Sequence, residues 1–162
     1  MKSLAIATAL SLALCLCYAE DVKPIGDADR FVRQVVQSLL KGDSKIPFEV
    51  ADKVFAIDNG EIISKEDLEK AWPEFAQRGL KKRVSVEQFF REIEVQVTSP
   101  VENKRLMSNK RVLEVYKYQA GDLYCDASRA KEGVESFIAY DKAFIYIIRK
   151  VDGKWTLIGI GG

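Results

Sequence analysis

The 162-residue chain contains no histidine. That excludes a Ser-His-Asp or Cys-His catalytic arrangement and any imidazole ligand for zinc. Acid–base chemistry, if there is any, falls to carboxylates, tyrosines, lysines or arginines. Cysteine is scarce as well. Cys15 and Cys17 lie in an apolar leader, so its removal leaves Cys125 alone and no intrachain disulfide can form. A lone thiol in an exported protein is expected either to be buried as a small hydrophobe or to pair between chains. Charge of either sign is not in excess: 25 basic residues meet 24 acidic ones. Losing Lys2 with the leader brings the balance to zero, so no overall field steers the protein to nucleic acid or an anionic membrane. The chain has no phosphate-cradling glycine loop, calcium loop or thiolate metal set, so neither a cofactor nor a metal is expected.

The first nineteen residues, MKSLAIATALSLALCLCYA, have the parts of a secretory signal. Lys2 supplies the positive start, Leu4 to Leu16 an apolar run, and Cys17-Tyr18-Ala19 a cleavage site. The rival is a lipoprotein anchor at Leu12-Ala13-Leu14-Cys15, where leucine before the cysteine fits poorly. Residues 1–19 are therefore expected to be a signal peptide, and the protein secreted or periplasmic. No later apolar run is long enough to span a membrane. Residues 20–26 form a polar lead-in, and 27–162 suit one domain, a size that buries about two thirds of its unfolded surface.

Within that domain, Asp27 or Asp29 is expected to cap a helix whose apolar stripe is Phe31, Val32, Val35, Val36, Leu39 and Leu40, ending at Gly42. Ile46-Pro47-Phe48 is expected to open a short second helix. Val54 to Ile57 reads as a strand stopped by Asp58-Asn59-Gly60. Ser64 with Asp67 makes a capping pattern for a helix burying Leu68, Ala71, Trp72, Phe75 and Ala76, with Pro73 kinking it or marking its start. The period then falls to two. Phe89, Ile93, Val95 and Val97 alternate with polar residues, although Ser85 to Phe90 also suits a helical turn. Val112 to Tyr118, Leu123 to Arg129, Phe137 to Val151 and Lys154 to Ile160 follow as strands. Helices first and antiparallel strands after predict an α+β fold, with the helices on one face of a sheet.

The closing hairpin carries the most information. Asp152-Gly153 suits a type I′ turn, which pairs Val151 with Lys154, Ile148 with Leu157, Tyr146 with Gly159 and Phe144 with Gly161. One face then holds Phe144, Tyr146, Ile148, Trp155 and Leu157, and the other Ile145, Ile147, Ile158 and Ile160. Both faces are apolar, so both want covering. Helices cover the first. For the second, a homodimer packed through the sheet face is expected, and a sheet that curls over itself is the alternative. Gly159 and Gly161 allow a sharp bend with aromatics lying across bare backbone. Bending makes the sheet a cone with a pocket at its wide end.

A helix ending KGD, then VFAIDNGEIISKEDLEKAW, then a sheet ending FIYIIRKVDGKWTLIG resembles the nuclear-transport-factor-2-like superfamily over residues 27–161. This group includes ketosteroid isomerase and polyketide cyclases. The resemblance implies a cystatin-like cone with helices in the concave face of a strongly curved antiparallel sheet, frequent dimers through the convex face, and an internal pocket. It does not imply a reaction. Enzymes of the group place a carboxylate base and hydroxyl or acid donors in the cone, and none of those positions is matched here residue by residue.

Candidates for such chemistry are Asp141, Tyr146 and Tyr116, with Asp141 alternatively a strand-entry residue at the rim. Candidates for lining a pocket are Phe55, Trp72, Phe75, Tyr118 and Tyr140. Each of these aromatics also suits plain packing. Asp58 fits turn chemistry. The basic clusters Arg78 to Arg83 and Lys104 to Arg111 read as solvated faces, since no aromatics interleave with them. The function expected is an exported non-catalytic binding or interaction domain with an apolar pocket for a small molecule or peptide. The alternative is a cofactor-free isomerase or lyase acting on an apolar substrate.

Overall fold

The computed structural model describes residues 25–78, 84–108, 117–133 and 145–161. The first helix, α1 (Ile25–Lys41), begins before Asp27, which therefore sits inside its first turn rather than capping it. Val32, Val35, Val36 and Leu39 recur at helical spacing and are all buried. Gly42 ends the helix at φ +68°, where a side chain would be strained. Its N–H donates to Leu39 O and the Asp43 N–H to Ser38 O, at 3.1 and 3.0 Å, so two terminal carbonyls are satisfied.

Ile46-Pro47-Phe48 is not helical. It is an irregular strap leading into β1 (Val50–Ala56). A three-residue apolar cluster with no following periodicity has nothing to propagate a helix, and nucleation alone is unfavourable. Gly60, at φ +75°, turns the chain into β2 (Ile62–Ser64), a strand too short to be read from the sequence. Ser64 Oγ then accepts from the Asp67 N–H at 3.1 Å and starts α2 (Lys65–Arg78), which contains Pro73. In α3 (Val86–Glu92) the Ser85 hydroxyl accepts from the Gln88 N–H at 3.1 Å. Phe89 therefore belongs to a helix, and the alternating strand begins only at Ile93, in β3 (Ile93–Thr98). Four-residue spacing from Phe89 to Ile93 satisfies both periods, which is why the alternating pattern reads back into the helix.

A 3₁₀ turn (Pro100–Glu102) and the short α4 (Lys104–Ser108) follow, then β4 (Leu123–Ala130), β5 (Ile145–Val151) and β6 (Lys154–Gly161). Of the strand expected at Val112 to Tyr118, only Lys117 and Tyr118 are described, and they are irregular. The first part of the strand expected from Phe137 lies outside the described residues.

The strands form one six-stranded sheet in the order β2-β1-β6-β5-β4-β3. It is mixed rather than antiparallel: β1 runs parallel to β6, with Val50 beside Leu157 and Ala56 beside Ile160. Connectivity is the physical reason. β1 and β6 are joined by the whole intervening chain rather than by a turn, and only a crossover of that kind delivers a parallel neighbour. Both ends of the described sheet are open, so it is not a closed barrel.

The closing hairpin starts in the expected register, with Asp152 at φ +48° and Gly153 at +79° as a type I′ turn requires. Past Leu157 it departs. Ile148 pairs with Leu157, but Ile147 pairs with Gly159, Tyr146 with Ile160 and Ile145 with Gly161. Ile158 is the extra residue of a β-bulge, and it reverses the facing of everything beyond it. Ile160 therefore joins Tyr146, Ile148 and Leu157 on the helix side, whereas the glycines face the other way. Gly159 lies against Ile147, where an added Cβ would sit 3.1 Å from the Ile147 Cβ. At Gly161 an added Cβ would meet the Cβ of Ile57 at 2.9 Å. That neighbour is fixed to backbone and cannot swing aside. Gly161→Ala is accordingly expected to lower stability by about 1–2 kcal/mol, overpacking outweighing the stabilisation from a less entropic unfolded chain, as a urea midpoint measurement would read.

One buried cluster joins α1, α2 and α3 to the sheet through Val36, Trp72, Phe89, Ile93, Cys125, Tyr146, Ile148 and Leu157. The second face is also buried within the single chain. Phe55, Tyr124, Ile145, Ile147 and Ile158 form a cluster there with Leu106 of α4. The second face from which a homodimer was expected is thus not bare: its apolar residues are buried within the chain, with Leu106 of α4 packed among them.

Candidate functional site

The residues expected to share a pocket fall on two sides of the sheet. Trp72 and Tyr146 are both buried in the helix-side core, and Phe75 stacks on Trp72 with ring centroids 5.9 Å apart. Phe55 and Tyr118 belong to the cluster on the opposite face. Tyr116, Tyr140 and Asp141 lie outside the described residues. Asp58 is exposed in the turn that leads to β2, as turn chemistry requires.

Tyr146 is in the wrong surroundings for acid–base work. Its hydroxyl has no hydrogen-bond partner among the described residues. Burial, and secondarily the Cys125 thiol, push its ionisation well above the usual tyrosine range. Cys125 is equally withdrawn: burial first, then the charge of Asp29, raise its thiol to about 12. It is buried as a small hydrophobe and is not a nucleophile at neutral pH. Tyr118 is also raised to about 12, by burial and then by the negative charge of Asp122.

The ionic centre of the molecule is structural in geometry. The Arg149 guanidinium grips Asp122 in a two-pronged contact, Nε to Oδ1 and an Nη to Oδ2, both 2.7 Å. The same Nη donates to Lys117 O, and Asp122 Oδ2 accepts from the Gln119 N–H at 2.7 Å. The pair therefore ties β5 to the turn that leads into β4. Asp122 is 1 % exposed at its side chain, leaving no room for a reacting group.

The described residues line a cleft and a groove. The first is a polar cleft of about 590 Å³ on the second face, between β3, β4 and the start of α4. Its walls carry Glu102 and Asp126 against Lys104 and Arg129, and Asp126 is occupied with its own strand, accepting from the Ser128 N–H and hydroxyl. The second is a groove of about 680 Å³, bounded by the first turns of α1, the strap at residues 46–49, and the β5–β6 turn. Phe31, Phe48 and Trp155 are its aromatic lining. Phe31 meets Phe48 edge-on at 5.7 Å, and Phe48 meets Trp72 edge-on at 5.5 Å, so the floor is anchored in the core. Arg30, Lys150 and Lys154 on one hand, and Asp27 and Glu49 on the other, supply the charge at its rim.

Sequence reasoning missed this groove, since Phe31 reads as core and the strap as helix. The signal available was Pro47, which cannot donate into a strand ladder. Among the described residues no cluster of carboxylates and thiols is placed to hold a metal ion, and no helix is long and apolar enough to cross a membrane. Comparison with known protein families, with curated proteins and with solved structures returns no match for this chain.

Proposed function

We propose that the protein is an exported, non-catalytic binding or interaction domain of the nuclear-transport-factor-2-like kind. The observation that carries the reading is a contrast between two sites. Tyr146, the one candidate catalytic residue among those described, is enclosed in packed core with no hydrogen-bond partner among them, whereas the aromatic groove is open. A surface that exposes rings and both signs of charge is suited to recognition. Chemistry on a substrate would need a reacting group that the substrate can reach.

Three features support the superfamily assignment. The first strand runs parallel to the last, at the middle of the sheet. The helices α1, α2 and α3 share a single face with it. The Ile158 bulge and two glycines facing one way are devices that bend a sheet, as a cone requires. Export rests on the leader sequence. A homodimer, which the resemblance implies, would pair through the outer side of the covered face, where Val101 and Met107 are exposed.

Native mass spectrometry of the protein purified from its own host tests all three parts. The expected spectrum shows a chain lacking residues 1–19, a dimer at micromolar concentration, and a non-covalently retained ligand or partner. A bare chain with no retained mass at any stage of purification would defeat the binding reading. A monomer would defeat only the pairing.

A further inference from the structure

We propose that the aromatic groove is a vacated strand position, and that an extended acidic peptide of a partner protein fills it by pairing with the outer edge of β6 at Trp155. This rests on the binding-domain reading and names the ligand class for it.

Hydrogen-bond alternation along β6 decides which way the main chain of Trp155 faces. Val151 and Lys154 close the type I′ turn, so they form a bonded pair, and Lys150 opposite Trp155 forms a non-bonded one. The N–H and C=O of Trp155 therefore point away from β5. Leu157, two residues on, faces the same way, and its N–H donates to Glu49 O at 3.0 Å. One step further back, the parallel ladder would bring Pro47 O to the Trp155 N–H. Pro47 O instead accepts from Gln34 Nε2 of α1 at 3.0 Å. The strap is drawn towards the helix, β1 pairs with β6 only from Val50, and Lys154 to Thr156 overhang it. Among the described residues no main-chain bond reaches the outer side of Trp155. An unpaired strand edge is a template for another extended chain.

The walls of the gap define what that chain carries. Alternate side chains of an added strand point to opposite faces, so one in two meets Phe31 and Phe48. Lys154 and Lys150 flank Trp155, with the Lys150 ammonium 5.5 Å from the indole centroid. Arg30 adds a third cation, against Asp27 and Glu49. None of the five makes an ion pair among the described residues. The excess is positive, and it is concentrated at the open edge. A segment with a bulky apolar residue next to carboxylates matches it.

The test is selection of a phage-displayed library of random linear peptides on the purified protein, followed by synthesis of the enriched sequence. Enriched peptides should combine Asp or Glu with a bulky apolar residue. The bound peptide should shift the backbone amide resonances of Trp155 and Phe48. Lys150→Glu with Lys154→Glu, both at exposed positions, should weaken binding by about tenfold while leaving the circular dichroism unchanged. N-methylating the peptide nitrogen that pairs with Trp155 should weaken it comparably. The proposal is overturned if nothing is enriched, if the shifts fall away from the groove, or if charge reversal and N-methylation are both without effect. Binding with a footprint elsewhere would leave the binding-domain reading intact; no enrichment, with no mass retained in the native spectrum, would remove both.

Discussion

Arg149→Ala is expected to destabilise the fold by about 3–5 kcal/mol, because it takes the counter-charge from an Asp122 carboxylate whose side chain is only 1 % exposed. Against a typical total of about 5–15 kcal/mol, a loss of that size leaves a domain near the edge of folding. Calorimetry should show the melting temperature falling by roughly 10 °C or more for a domain of this length. The mirror substitution, Asp122→Ala, exposes a different imbalance. It takes the carboxylate from a guanidinium that still donates to Lys117 O, and releases the Gln119 N–H that holds the turn. Because Arg149 keeps 20 % of its side chain in contact with solvent, it can turn outward and hydrate, and its orphaning should cost less. The decisive variant is the double substitution Asp122→Leu with Arg149→Met. If the pair contributes mainly through the penalty of being broken, the double variant should recover most of the stability lost by either single one. A double variant as unstable as the sum of the singles would show that the gripped geometry itself is what holds that turn to β5.

Trp72→Ala should cost a similar amount, about 3–5 kcal/mol, for a different reason. Trp72 is wholly buried in α2 and contacts both Phe48 and Phe75, so truncation opens a cavity walled by rings that cannot collapse into it. Its indole N–H has no partner among the described residues, and that separates volume from polarity. Trp72→Phe loses part of the ring system but also removes an unmet donor, whose burial costs about 1–3 kcal/mol. The phenylalanine variant should therefore lie much closer to the parent than to the alanine variant in a urea titration. An alanine variant within about 1 kcal/mol of the parent would mean the site collapses and the core is looser than its burial indicates. Because Phe48 leans on Trp72, the alanine variant should also lose binding in the groove.

The sequence was most legible where one physical cause acted alone. The stripe of α1, its stop at Gly42, the Ser64 cap and the Asp152-Gly153 turn each follow from local chemistry, and each stands where it was expected. Legibility failed where two causes gave the same pattern. Beyond Thr156 the last strand has only aliphatic residues and glycine, so no polar residue marks which face is which, and a bulge leaves no trace. The parallel partner of β6 could not be read either, because strand direction depends on a pairing about a hundred residues away in sequence. The site suffered most. Aromatics in strands and helices look alike whether they fill a core or floor a groove, and Phe48 does both, in a strap whose Pro47 O accepts from Gln34 of α1. On the second face, Leu106 comes from α4, a helix of five residues with too little sequence to announce itself.

The position of β6 has a bearing on biogenesis. Its eight residues are the last of the described chain, yet they lie between β1 and β5 in the centre of the sheet. Until they are synthesised, β1 and β2 have no scaffold and the helices have only a fragment of surface to cover. A nascent chain of this design cannot complete its core early on the ribosome, and it stays open until β6 has emerged. That delay suits the export proposed for it, since a polypeptide threaded through a membrane takes up its final form only afterwards.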